Sequence, residues 1–176
     1  MGQEIKSQQF TDEDREAFRA RLRDETSTLK HWFDERAFDY AEGFTVGLEL
    51  EAWLIDENHL PAPRNVEFLK ATNDPDVVEE LSKFNFEINA PPRPLGPDTF
   101  SATHDDLDKV WGKCRKVAAS LDMTPVAIGI MPTVRDEMLQ PAWLSDTNRY
   151  HALNAEVFRR RKGQPLHISI SGQDTL

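Results

Sequence analysis

Three features that are scarce or absent in this chain exclude several classes of protein. One cysteine, Cys114, in 176 residues excludes an internal disulfide and a cysteine-rich zinc site. No apolar run approaches the roughly 18–20 residues that a membrane span needs, and the polar N-terminus lacks the apolar centre of a secretory signal. Basic residues number 21 against 31 acidic ones, so the net charge of −10 argues against nucleic acid as the main partner. The sequence therefore predicts a soluble protein of a reducing cytoplasm, with neither nucleic acid nor membrane as its partner.

Helical and strand patterns are mixed along the chain. The apolar spacing predicts helices over 11–37, 75–82, 98–122 and 148–161, and strands over about 44–55, 84–89, 126–131 and 166–170. This mixture predicts an α+β fold in which helices cover one face of a mostly antiparallel sheet. We expect residues 1–40 to form an N-terminal helical arm and residues 41–176 to form the remaining domain.

The expected helices carry apolar stripes of their own. The first has a capping-box pair in Thr11 and Asp14, and its apolar side comprises Phe18, Leu22, Leu29, Trp32 and Phe33. In the helix over 98–122, Cys114 falls on the apolar stripe, which predicts a small core residue rather than a nucleophile.

The stretch GFTVGLELEAWLID, residues 43–56, places two glutamates in an apolar strand. Alternate side chains of a strand share a face. One face is therefore almost wholly apolar and belongs against the helices, and it comprises Phe44, Val46, Leu48, Leu50, Ala52 and Leu54. Glu49 and Glu51 are neighbours on the other face, beside Gly47 and Trp53.

The strand over 84–89 repeats this alternation. Phe84, Phe86 and Ile88 form its apolar side, and Glu87 stands on its polar side. If both apolar sides face the helices, Glu49, Glu51 and Glu87 project together, and a hard cation such as Mg²⁺ or Mn²⁺ would relieve their repulsion. A solvated polar face of a half-exposed sheet explains the same pattern, and it stays open as an alternative. Trp53 is either a partly covered aromatic or a platform for a ligand.

Four blocks, in order, resemble the glutamate–cysteine ligase family. The resemblance is to its bacterial carboxylate–amine ligase branch, which is related to the plant-type enzymes. The blocks are GLELE at 47–51, FEIN at 86–89 with a proline-rich exit, IGIMPT at 128–133 followed by Arg135, and NRY at 148–150. They span about 43–155, so the N-terminal helix and the last twenty or so residues carry less of the match.

The resemblance implies a glutamine-synthetase-like catalytic sheet, of which this chain would hold the N-terminal half. Its carboxylates would bind two or three Mg²⁺ ions, or Mn²⁺, which hold ATP. ATP would phosphorylate the γ-carboxylate of glutamate, and cysteine or another amine would then attack it, as in glutathione biosynthesis. By this resemblance Glu49, Glu51 and Glu87 are the metal ligands, and Arg135 and Arg149 border the substrate.

Two departures qualify that expectation: the chain is shorter than the family enzymes, and nothing in the sequence fixes the amine acceptor. Family enzymes are longer, and a later strand brings a histidine, so we expect this chain to be a truncation that lacks catalytic competence by itself. His167 could stand at that strand, but its position favours an edge-strand histidine. Half a sheet also leaves an unpaired edge, which predicts a covering arm or a homo-oligomer. A non-catalytic binding or regulatory domain on the same scaffold is the alternative function.

Overall fold

The computed structural model describes residues 3–40 and 43–164. The main elements in chain order are α1 (Asp12–Asp34), β1 (Thr45–Ile55), α2 (Asn65–Thr72), β2 (Val77–Glu79), β3 (Asn85–Pro94), α3 (Thr99–Ser120), β4 (Thr124–Val126) and α4 (Asn148–Arg160). Short 3-10 helices lie at Ala37–Tyr40, Asp136–Leu139 and Pro141–Trp143. All the strand pairs in this part of the chain are antiparallel, so the α+β prediction is confirmed.

Two compact units divide the chain, and the division falls within α1. Ala20–Ser145 form the unit that holds the whole sheet with α2 and α3. Met1–Arg19 and Asp146–Leu176 form the other unit, which holds α4. The separation of an arm at 1–40 from a domain at 41–176 stays a prediction.

The four strands lie in the order β2-β3-β1-β4, so β1 and β3 are the central pair. Their register runs from Thr45 opposite Pro94 to Trp53 opposite Asn85, with one irregularity between Val46 and Leu48. The expected end of this strand at Asn89 is wrong, because β3 continues through its prolines. The reason is that β2 pairs only with Phe86, Glu87 and Ile88. Beyond Asn89, whose N–H still donates to Asp76 O at 2.8 Å, β1 is the described strand that pairs with β3, and proline is tolerated where one edge is free.

The core lies between the sheet and the two helices of the same unit. Ala52 and Leu54 of β1 and Phe86 and Ile88 of β3 are fully buried on this side. The ring of Phe86 meets that of Phe68 in α2 at a centroid distance of 4.7 Å. These contacts explain the apolar alternation in β3 and in the second half of β1, whereas Phe44 and Leu48, which were predicted to face the helices too, are exposed.

Cys114 is buried in this core, as predicted. Burial raises the pKa of its thiol to about 12. Since the thiolate is the reactive form, this cysteine is a packing residue and not a nucleophile.

Two short elements differ from the sequence-based expectation. The helix predicted over 75–82 is wrong, since β2 lies there and α2 lies earlier in the chain. The strand predicted over 126–131 is wrong beyond Val126, where pairing with β1 stops, and Ile130 is 86% exposed. A strand of three residues takes its conformation from the strand with which it pairs. A pattern of three residues is too short to predict that partner.

The helix α1 begins as predicted. Thr11 N–H donates to Asp14 Oδ2 at 2.8 Å, and Asp14 N–H donates to Thr11 Oγ1 at 3.1 Å, which is a capping box. None of its residues is buried, and its apolar side is exposed at Phe18, Leu22, Leu29, Trp32 and Phe33. The pattern therefore located the helix without locating a partner for its apolar side.

The last two predicted elements are the helix over 148–161 and the strand over 166–170. The helix α4 lies where it was expected, but Leu153, Val157 and Phe158, which were expected to face inward, are exposed. The predicted strand over 166–170, with His167, lies outside the described residues. Across the described ranges, no helix combines the length and apolar character that a membrane crossing requires.

Candidate metal centre

The pairing of β1 with β3 brings the predicted carboxylates to one side of the sheet. Glu51 is directly opposite Glu87, and Glu49 is directly opposite Asn89. Directly opposed residues of antiparallel strands have Cα atoms about 4.5–5.5 Å apart, and their side chains project to the same face. The helices cover the other face, so the carboxylates project away from the core.

A fourth carboxylate near this group belongs to Glu80, the residue that follows β2. Val78 is opposite Glu87 in the register, and Glu80 is two residues further along. Glu51, Glu80 and Glu87 each offer a carboxylate oxygen, and these three oxygens lie within 4.8 Å of one another. The Leu81 N–H donates to Glu80 Oε1 at 2.9 Å, which helps to orient that carboxylate.

Sequence reasoning missed Glu80 because it placed a helix over 75–82. Read as a strand, the same residues alternate, with Val78 and Glu80 on one side and Glu79 on the other. Glu79 pairs with Phe86, which lies on the helix-covered face. The available signal was therefore this alternation, but three residues are too few to separate it from a helical turn.

Glu87 is the buried member of the group, with 5% of its surface exposed. Its Oε1 atom is buried and has no hydrogen-bond partner among the described residues. Burial raises the pKa of this carboxyl above its usual value, and the charges of Glu49, Glu80 and Glu51 raise it further. The Asn89 amide offsets part of this rise in pKa, although its Nδ2 makes no hydrogen bond of ordinary geometry.

Trp53 and Gly47 flank the glutamates of β1 on the same face. The Trp53 ring stacks on Phe84 at a centroid distance of 5.7 Å, and its Nε1 donates to Ile128 O at 2.9 Å. These contacts favour the interpretation of Trp53 as a partly covered aromatic. At Gly47, an added Cβ would meet no atom within 4 Å, so open space adjoins the strand there.

The donor set suits a hard divalent cation. Two oxygens on opposite sides of Ca²⁺ lie about 4.6–5.2 Å apart, and those on Mg²⁺ lie about 4.0–4.2 Å apart. The three carboxylate oxygens lie within 4.8 Å of one another, which is close enough for them to share one such ion.

The two predicted arginines lie in different units. Arg135 is exposed and extended, directly before the 3-10 helix Asp136–Leu139, in the unit that holds the sheet. Arg149 lies in the first turn of α4, in the other unit. Its guanidinium lies 4.5 Å from the centre of the Tyr150 ring, and its Nη2 donates to the Tyr150 hydroxyl at 3.0 Å.

Comparisons with known proteins add no relative. A scan against protein-family models and searches of curated proteins and of solved structures found no match. The resemblance to glutamate–cysteine ligases therefore depends on the four sequence blocks alone.

Proposed function

We propose that this protein binds a hard divalent cation at Glu51, Glu80 and Glu87, and that the cation serves an ATP-dependent carboxylate–amine ligase reaction. The reaction would activate the γ-carboxylate of glutamate as an acyl phosphate for attack by cysteine or another amine. The observation that carries the proposal is the buried, unpartnered Oε1 atom of Glu87, directly opposite Glu51.

The burial of Glu87 is the strongest argument for a cation. An exposed acidic cluster is common and needs no ligand, because water solvates each charge. A buried carboxylate without a partner is costly, since an unsatisfied buried polar group costs about 1–3 kcal/mol and a charged one costs more. Three further glutamates increase this cost through repulsion. A bound cation would reverse the sign of both effects, so it would stabilise the charged form of this arrangement.

A cation site of this kind agrees with the ligase reaction that the four sequence blocks imply. Divalent cations supply charge neutralisation and positioning for ATP phosphates in phosphoryl transfer. Glu49 lies one alternation from Glu51 and adds negative charge beside the cation. An exposed arginine such as Arg135 is suited to a carboxylate substrate or a transferring phosphate. Arg149 is proposed for the same role on the resemblance alone.

Binding of Mn²⁺ to the whole chain tests the metal site without any need for turnover. Free Mn²⁺ can be followed by electron paramagnetic resonance, and Mg²⁺ or Ca²⁺ by competition. We expect Glu51→Gln and Glu87→Gln each to weaken binding at least about tenfold, or about 1.4 kcal/mol. Glu79→Gln is the matched control, because that carboxylate lies on the opposite face of the sheet. Equal binding by all four proteins would contradict the assignment.

Release of ADP tests the ligase reaction. The full-length protein would be supplied with ATP, Mg²⁺, glutamate and a panel of amines that includes cysteine, and Glu51→Gln should abolish any turnover. If Mn²⁺ binds but no amine supports ADP release, the ligase proposal fails and the non-catalytic binding domain is the better description. The two measurements therefore separate the metal site from the reaction.

A further inference from the structure

A buried polar network lies beside the turn that carries Glu80. Its four side chains come from separated parts of the chain: Asn65 at the start of α2, Ser82 in the turn between β2 and β3, Asn85 at the start of β3, and Ser145. Asn65 and Ser145 are each only 1% exposed. Buried polar side chains of this kind are mostly hydrogen-bonded, and in this network Asn65 Oδ1 is a buried atom without a hydrogen-bond partner among the described residues.

The segment that ends at Ser145 is bonded along this turn. Lys83 N–H donates to Trp143 O at 2.8 Å, and Ser145 N–H donates to Leu81 O at 2.9 Å. The Ser145 hydroxyl donates to the backbone carbonyl of Glu80. Glu80 directly follows the last residue of β2, so the ladder to β3 no longer holds its backbone and these bonds take over that task.

Asn65 fixes the Ser145 hydroxyl in turn. Its Nδ2 donates to Ser145 Oγ at 2.9 Å and to Ser82 O at 3.2 Å, with Asn85 O further away at 3.5 Å. The backbone carbonyls determine the orientation of the amide, because a flipped Oδ1 atom would face two other acceptors. Asn65 Nδ2 donates a hydrogen bond to Ser145 Oγ, so this oxygen acts as an acceptor toward Asn65. The Ser145 hydroxyl can then donate its own hydrogen to the backbone carbonyl of Glu80.

We propose that Ser145, held by Asn65, is a positioning residue for the cation site. It fixes the backbone of Glu80 so that the Glu80 carboxylate stays within reach of Glu51 and Glu87. This inference rests on the proposed cation binding, and it adds that affinity depends on a hydroxyl 65 positions away from Glu80 in the sequence. Residues that orient metal ligands in this way typically change metal affinity by about 10–100-fold.

The test compares Ser145→Ala with Thr103→Val in the whole chain. Thr103 is also buried, and its hydroxyl donates to Thr99 O at 2.8 Å within α3. Both changes remove one buried hydroxyl–carbonyl bond, and Ser145→Ala also removes the acceptor of Asn65 Nδ2, so both should lower the midpoint of thermal unfolding. We expect only Ser145→Ala to weaken Mn²⁺ binding, by about tenfold. In a Glu80→Gln background, Ser145→Ala should cause no further loss of affinity, because the ligand that it positions is gone.

The outcomes separate this inference from the function on which it rests. If the unaltered protein binds no Mn²⁺, the cation site fails and the positioning role fails with it. If the unaltered protein binds Mn²⁺ and Ser145→Ala binds it equally well, the positioning role alone is overturned. Should Ser145→Ala not fold, Ser145→Cys replaces it, since a thiol is a weaker donor in nearly the same volume. Its expected loss of Mn²⁺ affinity is about threefold, a smaller share of the same effect.

Discussion

The helix-covered face of the sheet and its carboxylate face use alternate residues of the same two strands, β1 and β3. On the first face, Phe86 and Ile88 are fully buried against α2 and α3. On the second, Glu87 lies between them in sequence and is nearly as buried, but its Oε1 atom has no hydrogen-bond partner within the described residues. Similar burial therefore stabilises the fold on the helix-covered face and costs stability on the carboxylate face.

The difference shows which face stabilises the fold and which face costs it stability. Each large apolar side chain that is fully buried contributes about 1.5–3 kcal/mol relative to exposure. A buried carboxylate with a raised pKa reduces the stability of the folded protein at neutral pH. A group that weakens the fold in isolation is the kind of group that a functional site retains.

The largest expected effect lies on the helix-covered face. Phe86→Ala should lower the free energy of unfolding by about 3–5 kcal/mol, because it opens a cavity where the Phe86 ring meets Phe68. Urea unfolding followed by circular dichroism measures this. Phe100→Ala is the control, since Phe100 is exposed on α3 and its loss should cost about 0.5 kcal/mol or less. Equal costs for the two variants would contradict the assignment of the core to this face.

A smaller effect, on Mn²⁺ affinity, should distinguish two glutamates of the carboxylate face, Glu80 and Glu49. Glu80→Gln should weaken Mn²⁺ binding about tenfold, or about 1.4 kcal/mol, because it removes a direct ligand. Glu49→Gln should weaken it about threefold, through a screened charge that does not touch the ion. Titration of both variants with Mn²⁺ under the same conditions decides between them. A larger loss for Glu49→Gln would restore the ligand set that the sequence resemblance implies.

The smallest expected effect is a pH dependence of the metal-free protein. The raised pKa of Glu87 means that the folded protein holds this proton more tightly than the unfolded chain does. Its contribution to stability is therefore complete below the unfolded value of 4.5 and is lost as the pH rises through the raised pKa. Relative to Glu87→Gln, the unaltered protein should therefore lose stability as the pH rises over that range.

Thermal unfolding with a chelator present, at a series of pH values, measures this difference. Comparison with Glu87→Gln removes the opposite contributions of carboxyls whose pKa is lowered by hydrogen-bonded partners, such as Asp74 beside Lys113. A parallel pH dependence in the two proteins would contradict the burial of a charged Glu87.

Long patterns in the sequence predicted their elements well. β1, α1, α3 and α4 all lie where periodicity placed them, because a pattern that spans several turns or several strand residues repeats its signal. Short elements were predicted poorly. β2 and β4 have three residues each, and α2 lies over Asn65–Thr72, where no helix was predicted. These segments take their structure from β3, β1 and α3, which the local sequence does not describe.

For the candidate site too, the sequence predicted one part and the folded structure decided the rest. Alternation alone placed Glu49, Glu51 and Glu87 on one face, because the side-chain period of a strand does not depend on its partners. Three features required the folded chain: the pairing of Glu51 with Glu87, the burial of Glu87, and the arrival of Glu80. The last depends on β2 and on bonds from Ser145, which lies 65 positions from Glu80. A local pattern can therefore assign a carboxylate to a face, but only contacts between distant segments decide which carboxylates can share an ion.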